Sequence, residues 1–399
     1  KVYVRQTDFE PDEVNLKLFS MGGKNLYPDA DMPNLTYLMA GATIGGVGQY
    51  DDLALEKMLA GKTATVAPYI DDDTEGMTGT SNVKDTETLL ELVYLYFTQP
   101  RKDPQAFKSL MEQQEAFLTN AHVNPMLAYN DTLHKVAYGT DRLASMDKEQ
   151  LKKVSYDRIM QIYKERFASA ADFKLILTGN INLDKLRPLL CRYMAVLPSN
   201  NRTESIGTHG ARLVDGKKTY VFHKEQATPT AITTIVIKGK MEYSNRNDLL
   251  MDAIGQLLRI VYTDKVREEK GGTYSVQVSG DLQHHPADEA LLRIAFQTDP
   301  QKYHELIPIV YEQLHKMATE GPSQQDLDKV KAYERKVYNQ VLRMNNYWEY
   351  VLYSDLFNGI DVDTTFRSIV ESMTCDDIRT TLRQLLDQNN CIEVTMTQK

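Results

Sequence analysis

The chain has 399 residues, 42% of them hydrophobic and 25% charged, and its formal net charge is −9. This is the composition of an ordinary soluble globular protein long enough for two domains. An acidic chain without a lysine- or arginine-rich block is excluded from phosphate-neutralising nucleic-acid binding, and no apolar run approaches the length of a membrane span.

Lys1 leads straight into a strand, with no initiating methionine. That is expected of a segment cut from a longer polypeptide, with any targeting sequence upstream. A first strand pair is predicted over Val2–Thr7 and Val14–Met21, followed by an apolar helix around Leu35–Ala42. Gly41 to Gly48 reads as a tight glycine-rich turn, where glycines would let a backbone come close. A helix from Asp52 is stopped by Gly61. Strands at Thr63–Pro68 and Glu75–Thr80 precede helices at Thr86–Thr98 and Pro104–Ala121. Polar residues then carry the chain to a helix at Lys148.

The second half repeats this order. Strands are expected at Thr219–His223, Ala231–Lys238, Thr273–Ser279 and Glu289–Gln297. Helices are expected near Arg246–Val266, Pro300–Thr319, Ser323–Arg343 and Thr374–Asp387. Two capped helices tie the copies together. Ser155 and Thr374 are the expected N-caps, with Val154 or Met373 before them and Ile159 or Ile378 at staple spacing. Each pair differs by 219 in number, and the same offset relates Leu175 to Val394 and Leu177 to Met396. Tyr3-Val4 matches Tyr220-Val221 at 217, as do strands ending at Gly22 and Gly239. The expectation is an α+β duplication: a first lobe over 1–200 and a second over 201–399, each a mostly antiparallel sheet with helices packed on one face. The join is expected at Pro198–Gly207, rich in polar residues and breakers.

Few motifs carry chemistry. Neither His-Glu-x-x-His nor its inverse occurs among the eight histidines, so no helical zinc site is expected. His284-His285 are adjacent, should point to opposite sides of an extended segment, and read as a solvated loop. Gly61-Lys62-Thr63 ends like a phosphate loop, but Glu56 stands where the first glycine is needed, so it reads as a helix C-cap. No nucleophile elbow appears. Cys191, Cys375 and Cys391 form no Cys-x-x-Cys pair, an odd count cannot complete a disulfide framework, and Cys391 is expected in the core.

One constellation remains, Arg267-Glu-Glu-Lys-Gly-Gly-Thr-Tyr274. A helix ending at Arg267, two glycines, and a strand opening at Tyr274 would set a guanidinium beside a phenol. Both donate hydrogen bonds and could hold a peptide carbonyl or an oxyanion. From the residues alone a plainer reading stands beside it and is favoured: an ion pair from Arg267 to Asp264 and a packed strand tyrosine.

The Arg267–Tyr274 corner with Ser275-Val276, the segment Phe97-Thr-Gln-Pro-Arg101-Lys-Asp103 with Phe107, and Asn346-Tyr-Trp348 resemble the pitrilysin/insulinase family of zinc metallopeptidases. The resemblance runs over essentially the whole chain, and it is to the half of such proteins that lacks the metal. Where the inverted zinc motif would sit, Leu35 to Gly41 holds neither histidine nor glutamate. The resemblance implies two halves that close around a peptide. The partner half, on the same polypeptide or a separate subunit, carries zinc and its glutamate base. This half contributes a chamber wall and the substrate-binding Arg267 and Tyr274, with no catalytic or metal-binding residue of its own. A peptide adding to a sheet edge would do so on the zinc half. The resemblance also favours a bacterial periplasm or envelope over the cytoplasm. Two other functions stay open: a catalytically inactive peptide-binding or scaffold subunit, and a self-sufficient hydrolase using His284 and His285.

Overall fold

The computed structural model describes residues 1–121, 124–270 and 276–398, with the backbone alone for 266–270. The chain opens with β1 (Val2–Gln6), β2 (Val14–Met21), α1 (Met32–Thr36), α2 (Leu38–Thr43), α3 (Asp52–Met58), β3 (Thr65–Ile70) and β4 (Thr74–Ser81). It continues with α4 (Thr86–Thr98), α5 (Pro104–Ala121), α6 (Pro125–Tyr138), α7 (Lys148–Leu151), α8 (Tyr156–Arg166), β5 (Lys174–Gly179) and α9 (Leu183–Leu189). The second half starts with β6 (Lys217–His223), β7 (Ala231–Lys240), α10 (Asn245–Lys270), β8 (Val276–Gln283) and β9 (Glu289–Thr298). It closes with α11 (Tyr303–Glu320), α12 (Gln324–Val341), α13 (Asn345–Asn358), α14 (Phe366–Ser372), α15 (Cys375–Leu386) and β10 (Asn390–Thr397).

The strands form two five-stranded sheets of identical topology, β1-β5-β2-β4-β3 and β6-β10-β7-β9-β8. In each, the first and last strands pair in parallel and every other pairing is antiparallel. The α+β duplication read from the sequence is borne out. So are its helix caps: Ser155 accepts from Arg158 N–H, and Thr374 with Asp377 forms a complete capping box.

The described chain divides into two compact units. One comprises 1–121, 146–210 and 341–357; the other comprises 122–145, 211–340 and 358–399. Each unit therefore takes in one helix from the opposite half of the sequence. In the second unit, α6 lies on the sheet face lined by Ile392, Val394 and Met396 and buries Tyr129, Leu133 and Ala137 there. Tyr129 donates its hydroxyl hydrogen to Thr234 Oγ1 at 2.7 Å. In the first unit, α13 lies on the sheet face of Thr178, Lys174 and Phe19. Thr178 Oγ1 donates to Asn345 O at 3.2 Å, Lys174 Nζ donates to Leu356 O at 2.5 Å, and Tyr353 meets the Phe19 ring edge-on at 4.8 Å. Both helices have 14 residues, and their starts, 125 and 345, lie 220 apart. They are the same helix of the duplicated unit, traded between copies. Helices thus cover both faces of each sheet, the second face through the traded one.

The connector expected to be polar coil before Lys148 is therefore partly helix α6. Asn124 caps it by accepting from Met126 N–H, Pro125 starts it, and Gly139 at φ 65° ends it.

The traded helices also fix which strand faces correspond. They make Lys17 the counterpart of Thr234 at an offset of 217 and Ile176 the counterpart of Val394 at 218, consistent with the ladders Lys17↔Ile176 and Thr234↔Val394 within each sheet. The offset of 219 holds for the capped helices but slips to 218 in the strand that follows. Because side chains alternate along a strand, a slip of one changes which residues meet the core. On the inner faces Leu16 corresponds to Thr233, Phe173 to Cys391, Leu175 to Glu393 and Leu177 to Thr395. In the first unit this region is apolar, and Phe97, Phe167 and Phe173 pack edge-on or tilted with ring centroids 5.3–6.1 Å apart.

Candidate functional site

The corner singled out by sequence lies between α10 and β8. Ser244 starts α10, its hydroxyl accepting from Asn247 N–H at 3.2 Å and its carbonyl from Asp248 N–H at 3.0 Å. Leu250, Ile254, Leu257, Leu258 and Tyr262 recur at helical spacing and are buried against Ile235, Ile294 and Phe296 of the sheet. This long apolar stripe carries the helix to Lys270. The backbone of Arg267 therefore lies in its last turn. β8 opens at Val276. Tyr274 lies outside the described residues, as does the Arg267 side chain.

Three ties set the register of α10 on β8. Arg259 donates to Val278 O at 2.7 Å. Asp248 accepts the Leu282 backbone N–H. Between them the two backbones touch through glycines: a Cβ on Gly280 would sit 2.0 Å from Met251 O, and one on Gly255 2.9 Å from Gly280 N. Strand β8 is the sheet's edge, and Val278 and Leu282 turn their peptide groups outward. Helix α10 thus packs on the sheet face and sends Arg259 and Asp248 to two outward peptide groups that another strand would need. These ties lie between 248–259 of the helix and 278–282 of the strand.

Beside these ties lies a group of acids that sequence reasoning missed. Gln256 Nε2 donates to Asp252 Oδ2 at 2.8 Å and to Glu334 Oε1, joining α10 to α12. Burial pushes Asp248 up to about 6, Asp252 and Asp281 add to that rise, and Leu282 N–H opposes it. Burial likewise raises Asp252 and Glu334 and favours the form in which a carboxyl proton ties the helices together. The signal available in sequence was Asp248 and Asp252 four apart on one helix face.

Among the described residues, no group of three His, Cys, Asp or Glu side chains could hold a metal. The stretch matched to the zinc helix, Leu35 to Gly41, is packing instead. It is broken at Tyr37 into α1 and α2, Leu35 and Leu38 are buried, and a Cβ on Gly41 would press on Phe107 and Ile159 at 3.1–3.2 Å. His284 and His285 do not point apart: their ring centroids lie 4.2 Å from each other in the turn after β8. His284 stacks on Tyr243 and its Nδ1 meets Asp288 Oδ1 at 2.7 Å, so this is a half-buried turn rather than a solvated loop. The glycine run near 45 admits the chain's own backbone: Arg101 donates to Gly45 O at 2.8 Å, and a Cβ on Gly45 would meet Arg101 O at 2.1 Å. Trp348 lies in α13 with the Arg5 guanidinium 4.1 Å over its ring.

Residues 153–333 match the family model described as Peptidase M16 inactive domain. The chain is 21% identical over 388 residues to the probable zinc protease PqqL of Escherichia coli K12, covering 94% of this chain and 41% of that protein. A zinc protease PQQL-like protein of Arabidopsis thaliana is 23% identical, covering 87% and 36%. The periplasmic protease PqqL crystal structure superposes with a TM-score of 0.85 over 99% of this chain and 44% of its own, at 19% identity. An M16 inactive domain from Pseudomonas fluorescens superposes at 0.77, covering 100% and 96%, at 17% identity. The chain thus spans less than half the length of the curated relatives it matches. These matches bear out the family resemblance read from the sequence, and with it the likeness to the half described as inactive. Among the described residues no helix is long and apolar enough to cross a membrane.

Proposed function

We propose that this chain is the substrate-binding, non-catalytic half of a zinc peptidase of the M16 type. The carrying observation is the match of residues 153–333 to the inactive domain of that family. It is supported by the zinc-helix position, which is filled by core packing around Leu35, Leu38 and Gly41. Zinc ligands belong to the partner half in this reading, and no step of the chemistry passes through this chain's own residues.

What this half supplies is a rigid frame and two donors. α10 and β8 approach backbone to backbone between Met251 or Gly255 and Gly280, which gives the two elements on either side of the corner a fixed register. Arg267 and Tyr274 are the donors assigned to that corner, one to each side of the Gly271-Gly272 break. Both can donate to a peptide carbonyl, and holding that carbonyl in one orientation accelerates the partner's chemistry without supplying a nucleophile. A closed chamber formed by the two halves would exclude water and admit peptides by size. The compartment that goes with this reading is the periplasm, the location stated for PqqL.

The test is reconstitution with a zinc-bearing half. Arg267→Ala and Tyr274→Phe should each lower peptide turnover about 10–100-fold while leaving the thermal melt unchanged. Full turnover in both variants would remove the site assignment. No turnover from the intact pair would remove the peptidase reading.

A further inference from the structure

The two edges of the second sheet are treated differently. Both β8 and β6 pair on one side only, but α10 side chains meet outward groups of β8 at Val278 and Leu282, whereas most residues of β6 are exposed. Gly216 O accepts from Cys391 N–H and Lys224 N–H donates to Thr397 O, so even-numbered residues of β6 turn their peptide groups toward β10. Lys217, Thr219, Val221 and His223 therefore present theirs outward. An open edge of this length is a strand-pairing template.

Directly beside that edge is a cavity of about 520 Å³, bounded by α11, α15 and the inner face of β10. Its origin is visible by comparison with the first unit. There Phe97, Phe167 and Phe173 fill the equivalent space; here Leu386 and Cys391 stand for Phe167 and Phe173, and Leu314 and Ala318 of α11 approach from the side of Phe97. Smaller side chains leave the volume of aromatic rings unfilled, a loss of packing a core does not ordinarily tolerate. The floor is also changed. Glu393, which replaces Leu175, is 7% exposed and meets the Tyr311 hydroxyl, whose other neighbour is Cys391 Sγ at 3.4 Å. Burial raises the Cys391 thiol, so this cysteine is a wall and not a nucleophile. At the mouth stand Lys217 and Arg383, with Asp387 beside them.

We propose that β6 and this cavity form a peptide-docking site: an extended segment adds to the sheet along β6 and inserts a tyrosine side chain, with acidic flanking residues facing Lys217 and Arg383. The ring takes the space that phenylalanines take in the first unit, and its hydroxyl donates to Glu393, the acceptor on the floor. Edge hydrogen bonds supply affinity and the cavity supplies selectivity, as in strand addition generally. The site lies at the opposite sheet edge from the Arg267 corner and does not rest on the peptidase reading.

The probe is a fluorescein-labelled pentapeptide, Glu-Val-Tyr-Val-Glu, capped at both ends, titrated by anisotropy against the full chain. Saturable binding is expected, with a loss of at least about tenfold when its tyrosine becomes glycine. Cys391→Phe, which refills the cavity, and Thr219→Pro, which removes an outward N–H that an edge strand can spare, should each weaken binding at least about tenfold with an unchanged melt. Lys217→Glu with Arg383→Glu should weaken it by a smaller factor, and Arg267→Ala should leave it intact. Absence of saturation by the folded chain at millimolar probe overturns the proposal, as does binding indifferent to Cys391→Phe and Thr219→Pro. Equal binding of N-acetyltyrosinamide, untouched by Thr219→Pro, would make the cavity a small-molecule pocket and overturn strand addition.

Discussion

The two units share a strand order and differ in what lies on it. The first fills the inner face of its sheet with Leu16, Phe173, Leu175 and Leu177; the second places Thr233, Cys391, Glu393 and Thr395 at those positions. The first covers its third strand with short, broken helices, whereas the second lays the 26-residue α10 along the corresponding strand. What survives duplication is the ladder and the traded helix; what diverges is the inner face and the helix before the third strand. Divergence concentrated at those two places marks them as the parts of the second unit free to acquire function, while the ladder and the traded helix keep the fold.

The sharpest way to break the comparison is to separate its two halves. Residues 1–200 and 201–399 expressed apart each lack the helix that covers one face of their sheet. Neither should unfold cooperatively alone, and mixing them should restore a single melt; two independent, cooperative melts would show the trade to be dispensable. A smaller effect is expected within the exchange itself. Tyr129→Ala empties a fully packed position on α6 and should cost about 3–5 kcal/mol in denaturant unfolding, against about 1 kcal/mol for Tyr129→Phe, which loses only the hydroxyl's bonds to Thr234 and Val394.

The buried acids sharpen the contrast by pH. In the first unit, burial pushes Glu75 up to about 7, against the Gly23 N–H at 2.6 Å and Arg166 at 3.6 Å. An acid raised in the folded state contributes stability that is complete below its unfolded value, near 4.5, and lost as pH rises through about 7. Glu75→Gln should therefore flatten the stability profile between about pH 4.5 and 7 by about 1–3 kcal/mol. Asp248→Asn should do the same in the second unit, over a lower window ending near 6 and by about 1–2 kcal/mol, since Asp248 is partly solvated. Equal windows for the two variants would contradict the different surroundings of the two acids. The smallest effect is expected at the β8 edge, where Arg259→Met should cost about 1 kcal/mol and quicken amide exchange from Val276 to Leu282.

Much of this was legible in the residues. Caps at Ser155 and Thr374, the Thr86–Thr98 helix and the order of strands follow from local chemistry, so they could be read without knowing their neighbours. The traded helices could not. α6 spreads its apolar residues widely and buries only Tyr129, Leu133 and Ala137, and α13 carries aromatic residues on several sides. Each makes sense only against a sheet built from the other half of the chain. Cys391 was expected in the core because its strand is apolar, yet it lines the cavity, and nothing local distinguishes those cases. The carboxyl group near α10 was hidden for the same reason: Glu334 arrives from a helix 82 residues beyond Asp252.

The exchange of α6 and α13 has a consequence for how the molecule is made. A ribosome finishes α6 at Tyr138 and must add more than two hundred further residues before β10, at Asn390–Thr397, exists for it to cover. At ordinary elongation rates that is a wait on the order of tens of seconds. Through that interval Tyr129, Leu133 and Ala137 lack the central strand face of Ile392, Val394 and Met396, while the earlier sheet stays without α13 until Asn358 emerges. Birth of this protein is therefore a late, single closure, and the nascent chain needs shelter for longer than its even division into two copies suggests.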